Sequence, residues 1–159
     1  MPVLPTRWVR GSDERLELGG IVVELKHRGG AHMPGDELVW LPAQRVLFSG
    51  EVVYVDRLLG VLPMSRSKAW LETFAVIDAL NPERIVPGHG RVCTLDQARR
   101  ETRDYLAALR THMKRAVDEG VDISAAVKSF DARPFSHLLN AAELMHGNAS
   151  RVYLELERE

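Results

Sequence analysis

A single cysteine, Cys93, among 159 residues rules out a disulfide within the chain and suits a reducing compartment. No window approaches the ~18 consecutive apolar residues of a membrane-spanning helix. The opening MPVLPTRWVRGSDER carries prolines and charges but no apolar stretch of the kind a secretory leader needs. No block of one charge sign occurs either: 21 Lys and Arg stand against 22 Asp and Glu, which argues against a nucleic-acid or membrane-surface binder. Internal repeats, low-complexity tracts and linkers are absent as well. These absences point to one cytoplasmic domain spanning residues 1–159, with a small molecule rather than a nucleic acid or a bilayer as its partner.

What is present suffices for a core. With 45% hydrophobic residues, a chain of this length removes roughly 68–70% of its surface from water and needs neither disulfide nor structural metal to fold. A metal bound here is therefore expected to serve function.

Local patterns give the order of elements. Leu16–Leu18 and Ile21–Lys26 read as strands broken by Gly19-Gly20, a pair suited to a tight hairpin turn. A glycine-rich loop, residues 28–36, follows. Leu38–Leu41 and Arg45–Phe48 flank Pro42-Ala43-Gln44 as a second hairpin. Trp70, Leu71, Phe74, Ile77 and Leu80 recur at helical spacing over Lys68–Leu80, and Asn81-Pro82 stops that helix. Arg84–Val86 is a short strand running into Pro87-Gly88-His89-Gly90. Thr94 followed by Gln97 has the spacing of a capping box and opens a helix expected to reach Glu119. Shorter helices are expected over Ile123–Phe130, Pro134–Met145 and Ala149–Glu157. The fold class is α/β (α+β), with one mixed sheet, helices on one face and a helical C-terminus.

Three residues carry the chemistry. His32 lies in the loop after a strand, Glu51 just past the strand ending at Phe48, and His89 just past the strand ending at Val86. Loops at the carboxyl ends of strands are where α/β sheets gather ligands. Two imidazoles and a carboxylate suit Zn²⁺ or Fe²⁺ and leave coordination positions open for water. Glycines beside both histidines let the backbone turn sharply there. Asp36 is a candidate for orienting His32 through a hydrogen bond, with a loop cap as the alternative role. Asp56 is a candidate substrate contact. His27, His112, His137 and His146 lack such flanking patterns and read as surface or packing residues, and Cys93 as a small buried side chain.

The series GGAHMPGDELVWLPAQRVLFSGEVVY, then a helix, then RIVPGHG resembles the second half of the metallo-β-lactamase superfamily, over roughly Leu16 to Gly90. A His-Thr-x-Gly loop, a strand ending in Gly-Asp and a Pro-Gly-His-Gly loop occur there in the same order. The run Asn148-Ala-Ser-Arg-Val-Tyr-Leu-Glu-Leu-Glu is similar to the closing helix of its stand-alone hydrolase branch. The resemblance implies a partial αβ/βα sandwich and metal-activated hydrolysis of an ester, thioester or lactone-like substrate. It assigns His32, Glu51 and His89 to metal-ligand positions, and it names no separate catalytic residue.

The sequence departs from that pattern in two ways. It contains no His-x-His, so the family's His-x-His-x-Asp-His ligands have no counterpart, and Glu51 stands where a bridging Asp is usual. The resemblance thus implies at most one ion, zinc with iron or manganese as alternatives, or an empty site. It also implies an apolar sheet face, with Leu38, Trp40, Val46, Phe48, Val53 and Ile21–Leu25, that a homodimer or a partner chain covers. The alternatives to a hydrolase are a non-catalytic binding module and a fragment of a longer hydrolase.

Overall fold

Gly19 and Gly20 both take positive φ, 58° and 79°, as a two-residue hairpin turn requires. They fold β1 (Asp13–Leu18) onto β2 (Ile21–His27), with Leu18 opposite Ile21. The computed structural model describes residues 3, 4, 6 and 8–159. β3 (Glu37–Leu41) and β4 (Val46–Tyr54) form the second hairpin, closed where the Arg45 amide donates to the Pro42 carbonyl. α1 (Ser67–Leu80) then returns the chain so that β5 (Arg84–His89) runs parallel to β4, giving a five-stranded mixed sheet in the order β1-β2-β3-β4-β5. A parallel neighbour needs such a crossover. One consequence governs the rest: β2, β4 and β5 point the same way, so their carboxyl ends share one edge of the sheet.

Both functional strands outrun the sequence expectation. β4 continues through Val52, Val53 and Tyr54, so Glu51 lies within the strand, and His89 is the last residue of β5. The β-branched valines favour extension, and the neighbouring strand supplies hydrogen-bond partners that a sequence window does not see.

The two faces of the sheet differ. Leu38, Trp40, Leu47 and Ile85 are buried on the side where α1 packs Trp70, Phe74 and Ile77, and the Trp70 indole donates to the Val52 carbonyl at 2.8 Å. On the opposite side the register aligns Leu16, Leu18, Ile21, Val23, Leu25, Val39, Leu41, Val46, Phe48 and Val86, and none of these is buried. Leu38, Trp40 and Val53 therefore do not belong to the uncovered face, contrary to expectation. Strict alternation sorts β3 residues between faces, and the helices claim the Leu38 side.

The helical half is also rearranged. Thr94 caps α2 (Leu95–Ala98) by accepting the Gln97 amide. The helix then widens into a π-helical turn, Arg99–Arg103, before α3 (Asp104–Asp118). After α4 (Ile123–Ser129) a short 3₁₀ turn, Arg133–Phe135, replaces the helix expected from Pro134, and α5 runs unbroken from Ala141 to Leu156. Asn140 in the left-handed region sets the start of α5. Asn148, fully buried, holds α5 in place: its Oδ1 accepts the Val61 amide and its Nδ2 donates to the Leu59 carbonyl and the Tyr105 hydroxyl. Among the described residues no helix is long and apolar enough to cross a membrane.

Glycine seals the junction of β4 and β5. A Cβ on Gly90 (φ 97°) would lie 2.1 Å from the Val55 carbonyl oxygen, and one on Gly88 2.6 Å from that of Gly50. Gly90→Ala is expected to cost at least ~3 kcal/mol, since it adds a backbone collision to a strained φ. Gly120→Ala, at φ 67° with nothing within 4 Å of its Cβ, is expected to cost only ~1 kcal/mol. Thermal unfolding of the two variants checks this, and equal shifts would count against it.

Candidate functional site

His32 reaches the site from the loop after β2, a loop that would wander without anchors. His27 Nδ1 contacts the Asp36 carbonyl oxygen at 3.1 Å across its base, and Asp36 Oδ2 accepts the Met33 amide at 2.8 Å. Ser65 Oγ donates to the His32 carbonyl at 2.8 Å and the Arg66 amide to that of Ala31 at 3.0 Å. These bonds fix the backbone, and Trp70 meets the ring edge-on with centroids 5.4 Å apart. His32 is only 8% exposed. Its Nδ1 is buried with no hydrogen-bond partner, a costly state for a polar atom.

Glu51 stands between the two histidines. His89 Nε2 lies 3.2 Å from Glu51 Oε1, and His32 Nδ1 lies 3.9 Å from Glu51 Oε2. All three residues named from sequence thus meet at one end of the sheet. Donors around a tetrahedral zinc with bonds of about 2.0–2.2 Å sit roughly 3.3–3.5 Å apart, so the donor chemistry and the His89 spacing suit a metal, while the His32 spacing is longer than that geometry. The orphaned His32 nitrogen points to the same use. The rings approach different oxygens, however, and among the described residues no group of three His, Cys, Asp or Glu side chains is arranged as it stands to hold an ion. Glu51 and His89 each expose 38% of the side chain.

The sequence reading missed Tyr54. Its hydroxyl donates to Glu51 Oε2, and its ring stacks on His89 with centroids 4.7 Å apart and planes 26° from parallel. Burial, reinforced by the Glu51 carboxylate, pushes its phenol well above the ordinary value. In a regular strand residues three apart face opposite ways. Here β4 advances from Gly50 to Tyr54 while β5 advances only from Pro87 to His89, and this irregularity brings Tyr54 and Glu51 together. Thr102, in the π-helical turn, fixes the result: its hydroxyl accepts the Tyr54 amide at 3.0 Å and donates to the Tyr54 carbonyl at 2.5 Å. No sequence pattern signals that contact, which spans 48 positions.

The other residues take supporting places. Asp36 caps its own loop through the Met33 amide, the alternative that the sequence left open. Asp56, in the left-handed region, pairs with Arg91 through both carboxylate oxygens, at 3.0 and 2.8 Å. That guanidinium lowers its carboxyl to about 2. Asp56 thereby clasps the residues just after His89. Cys93 is buried, and burial raises its thiol to about 11, which leaves it unreactive. His112 contacts the Ala126 carbonyl oxygen and Ser129, while His137 and His146 are exposed.

Residues 5–89, just over half of the chain, match the sequence profile described as the Metallo-beta-lactamase superfamily. Among solved structures, the chain is similar to the stereoselective inverting sec-alkylsulfatase Pisa1 from Pseudomonas sp. The TM-score is 0.75 at 18% identity, covering 95% of this chain and 26% of the sulfatase. It is also similar to a metallo-beta-lactamase from Pontibacter korlensis, with a TM-score of 0.56 at 24% identity, covering 62% of this chain and 47% of that one. At these identities the likeness is one of fold, and the chain spans less than half the length of either. No curated protein sequence matches it.

Thr102→Val would strip the Tyr54 backbone of both partners, and each buried group left unpaired costs ~1–3 kcal/mol. A loss of about 2 kcal/mol or more in urea unfolding is expected, against a much smaller loss for Thr102→Ser, which keeps the hydroxyl. Indistinguishable midpoints for the two variants would refute the clamp.

Proposed function

This chain belongs to the metallo-β-lactamase superfamily, and from that premise we propose that it acts as a metal-dependent hydrolase whose site is built on His32, Glu51 and His89. The observation that carries the reading is the meeting of these side chains at one sheet edge, beside a buried, unpartnered His32 Nδ1. The two imidazoles and the carboxylate would hold one ion, zinc first, with iron or manganese as alternatives. When bound, zinc supplies Lewis-acid activation of a water molecule, drawing its pKa toward ~7. The chain's own residues do the rest. Trp70 and Tyr54 wall the site and limit water on the helix side, the pinned loop holds His32 in place, and the half-exposed Glu51 and His89 face the incoming substrate. An ester, thioester or lactone-like electrophile is the proposed substrate class.

The second reading, a non-catalytic binding module, is favoured by the lack of a three-donor focus among the described residues. Metal content separates the two. The wild-type protein, purified without chelator, is expected to carry close to one equivalent of Zn, Fe or Mn, and His89→Ala to lose most of it. Less than about a tenth of an equivalent in the wild type would favour the binding module, since a competent site retains its ion.

The uncovered sheet face bears on the assembly. A contiguous apolar surface across five strands is the signature of an interface, and we propose that two copies bury it against each other in a cytoplasmic homodimer. Light scattering is expected to give the mass of a dimer for the wild type, and Phe48→Glu, at the centre of the face, to shift it to the monomer. A monodisperse wild-type monomer that binds no apolar dye would sink the dimer, and a stable complex with a different polypeptide would replace it.

A further inference from the structure

A groove of about 960 Å³ opens between the start of α1, the segment just before it and the C-terminal end of α5. That volume is in the range of small-molecule sites. Neither the His32, Glu51 and His89 cluster nor the uncovered sheet face lines it. Four bases do: Arg66 and Lys68 at the start of α1, Arg151 in α5 and Arg158 just past its end. Among the described residues none of the four forms an ion pair or a side-chain hydrogen bond. Bases elsewhere on the chain are matched, Arg28 with Asp13, Arg91 with Asp56, and Arg99 and Arg103 with Asp78.

The carboxylates at the groove do not make up the difference. Glu155 and Glu159 both pair with Arg110 of α3, at 3.7 and 2.5 Å, and Glu155 Oε2 also accepts the Ser67 amide at 3.0 Å. Arg110 itself is not part of the groove wall. Glu72 is then left alone to face four bases. Unmet charge of one sign around a concavity raises the potential there and draws in anions. The same groove carries apolar surface, since Met64 is 47% and Leu154 40% exposed. Arg151, Leu154 and Arg158 recur at helical spacing and so share one side of their element. Apolar surface ringed by cations matches an amphiphile of negative charge better than a plain ion or a neutral lipid.

We infer that this groove binds an aliphatic carboxylate, its chain along Met64 and Leu154 and its head group on the arginines. A guanidinium fork fits a carboxylate with two parallel hydrogen bonds. The inference uses no metal ion and stands whether or not the chain is a hydrolase. Pro34 and Ser65 belong to the groove wall, and Ser65 Oγ donates to the His32 carbonyl at 2.8 Å. A ligand bound there rests against the loop that carries His32.

The test is a titration of the full chain followed by methyl NMR, with decanoate, decyltrimethylammonium and inorganic phosphate as probes, each kept monomeric. Decanoate is expected to give saturable shifts at the Met64 and Leu154 methyls. Decyltrimethylammonium has the same chain and the opposite charge, and phosphate has charge without a chain. Each is expected to bind there roughly tenfold more weakly or less. The double substitution Arg151→Gln and Arg158→Gln is expected to weaken decanoate about tenfold at an unchanged unfolding midpoint, because two exposed charge contacts are lost and no ion pair of the fold is. Should that variant fold poorly, Lys68→Gln gives the same reading with a loss of about threefold. Decanoate that produces no saturable shift at these methyls overturns the inference. Equal binding of decanoate and decyltrimethylammonium reduces the groove to an apolar patch, equal binding of decanoate and phosphate reduces it to a plain anion site, and either result overturns it. So do decanoate shifts confined to the sheet face around Phe48, and Met64 and Leu154 shifts that follow protein concentration without ligand, which make a second copy the occupant.

Discussion

The contact on which the site depends is backbone to backbone: the ends of β4 and β5 approach so closely that no side chain fits between them. Gly88 lies against the Gly50 carbonyl and Gly90 against that of Val55. That proximity lets His89 stand 3.2 Å from Glu51 although 38 positions separate them in the chain. Any residue larger than glycine at these points would push the strands apart and dissolve the pairing. The glycines in Pro-Gly-His-Gly are thus there for access as much as for turning.

Around this junction, each element that reaches the site is held by groups that are themselves held. The His32 loop hangs on Ser65 and Arg66, which lead into α1, and α1 is tied to β4 by the Trp70 indole. Tyr54 hangs on Thr102, and the residues after His89 hang on Asp56 and Arg91. The covered face of the sheet therefore does more than supply burial. It transmits the rigidity of α1 and of the π turn to the strand ends, where a polar cluster would otherwise be mobile.

Among the described residues the opposite face has no such support, and the contrast describes the molecule. One side of the sheet is a finished core, with Leu38, Leu47 and Ile85 fully buried. The other displays apolar residues from every strand to solvent. A sheet stabilised on one face alone is normal when its second face is polar. Here the second face is mostly Leu, Ile, Val and Phe, with Glu14 and Arg84 on its two edge strands. His32, Glu51 and His89 lie at the rim of the sheet.

The sequence by itself determined the hairpins, α1 and the helix start capped by Thr94, because each is encoded locally. Gly19-Gly20 dictates a tight turn, hydrophobic spacing dictates a helix, and glycine beside histidine marks a loop built for close approach. Family order groups His32, Glu51 and His89. Only the tertiary structure decided the rest. The length of β4 and β5 depends on the partner strand that pays for each amide. The face to which Leu38 and Trp40 belong depends on where the helices settle, and the continuous α5 depends on Asn148 finding Val61, Leu59 and Tyr105. Tyr54 was hidden for the same reason. Its tie to Glu51 comes from a slipped ladder and its tie to Thr102 from a π turn, both products of packing between distant segments, which no local pattern records.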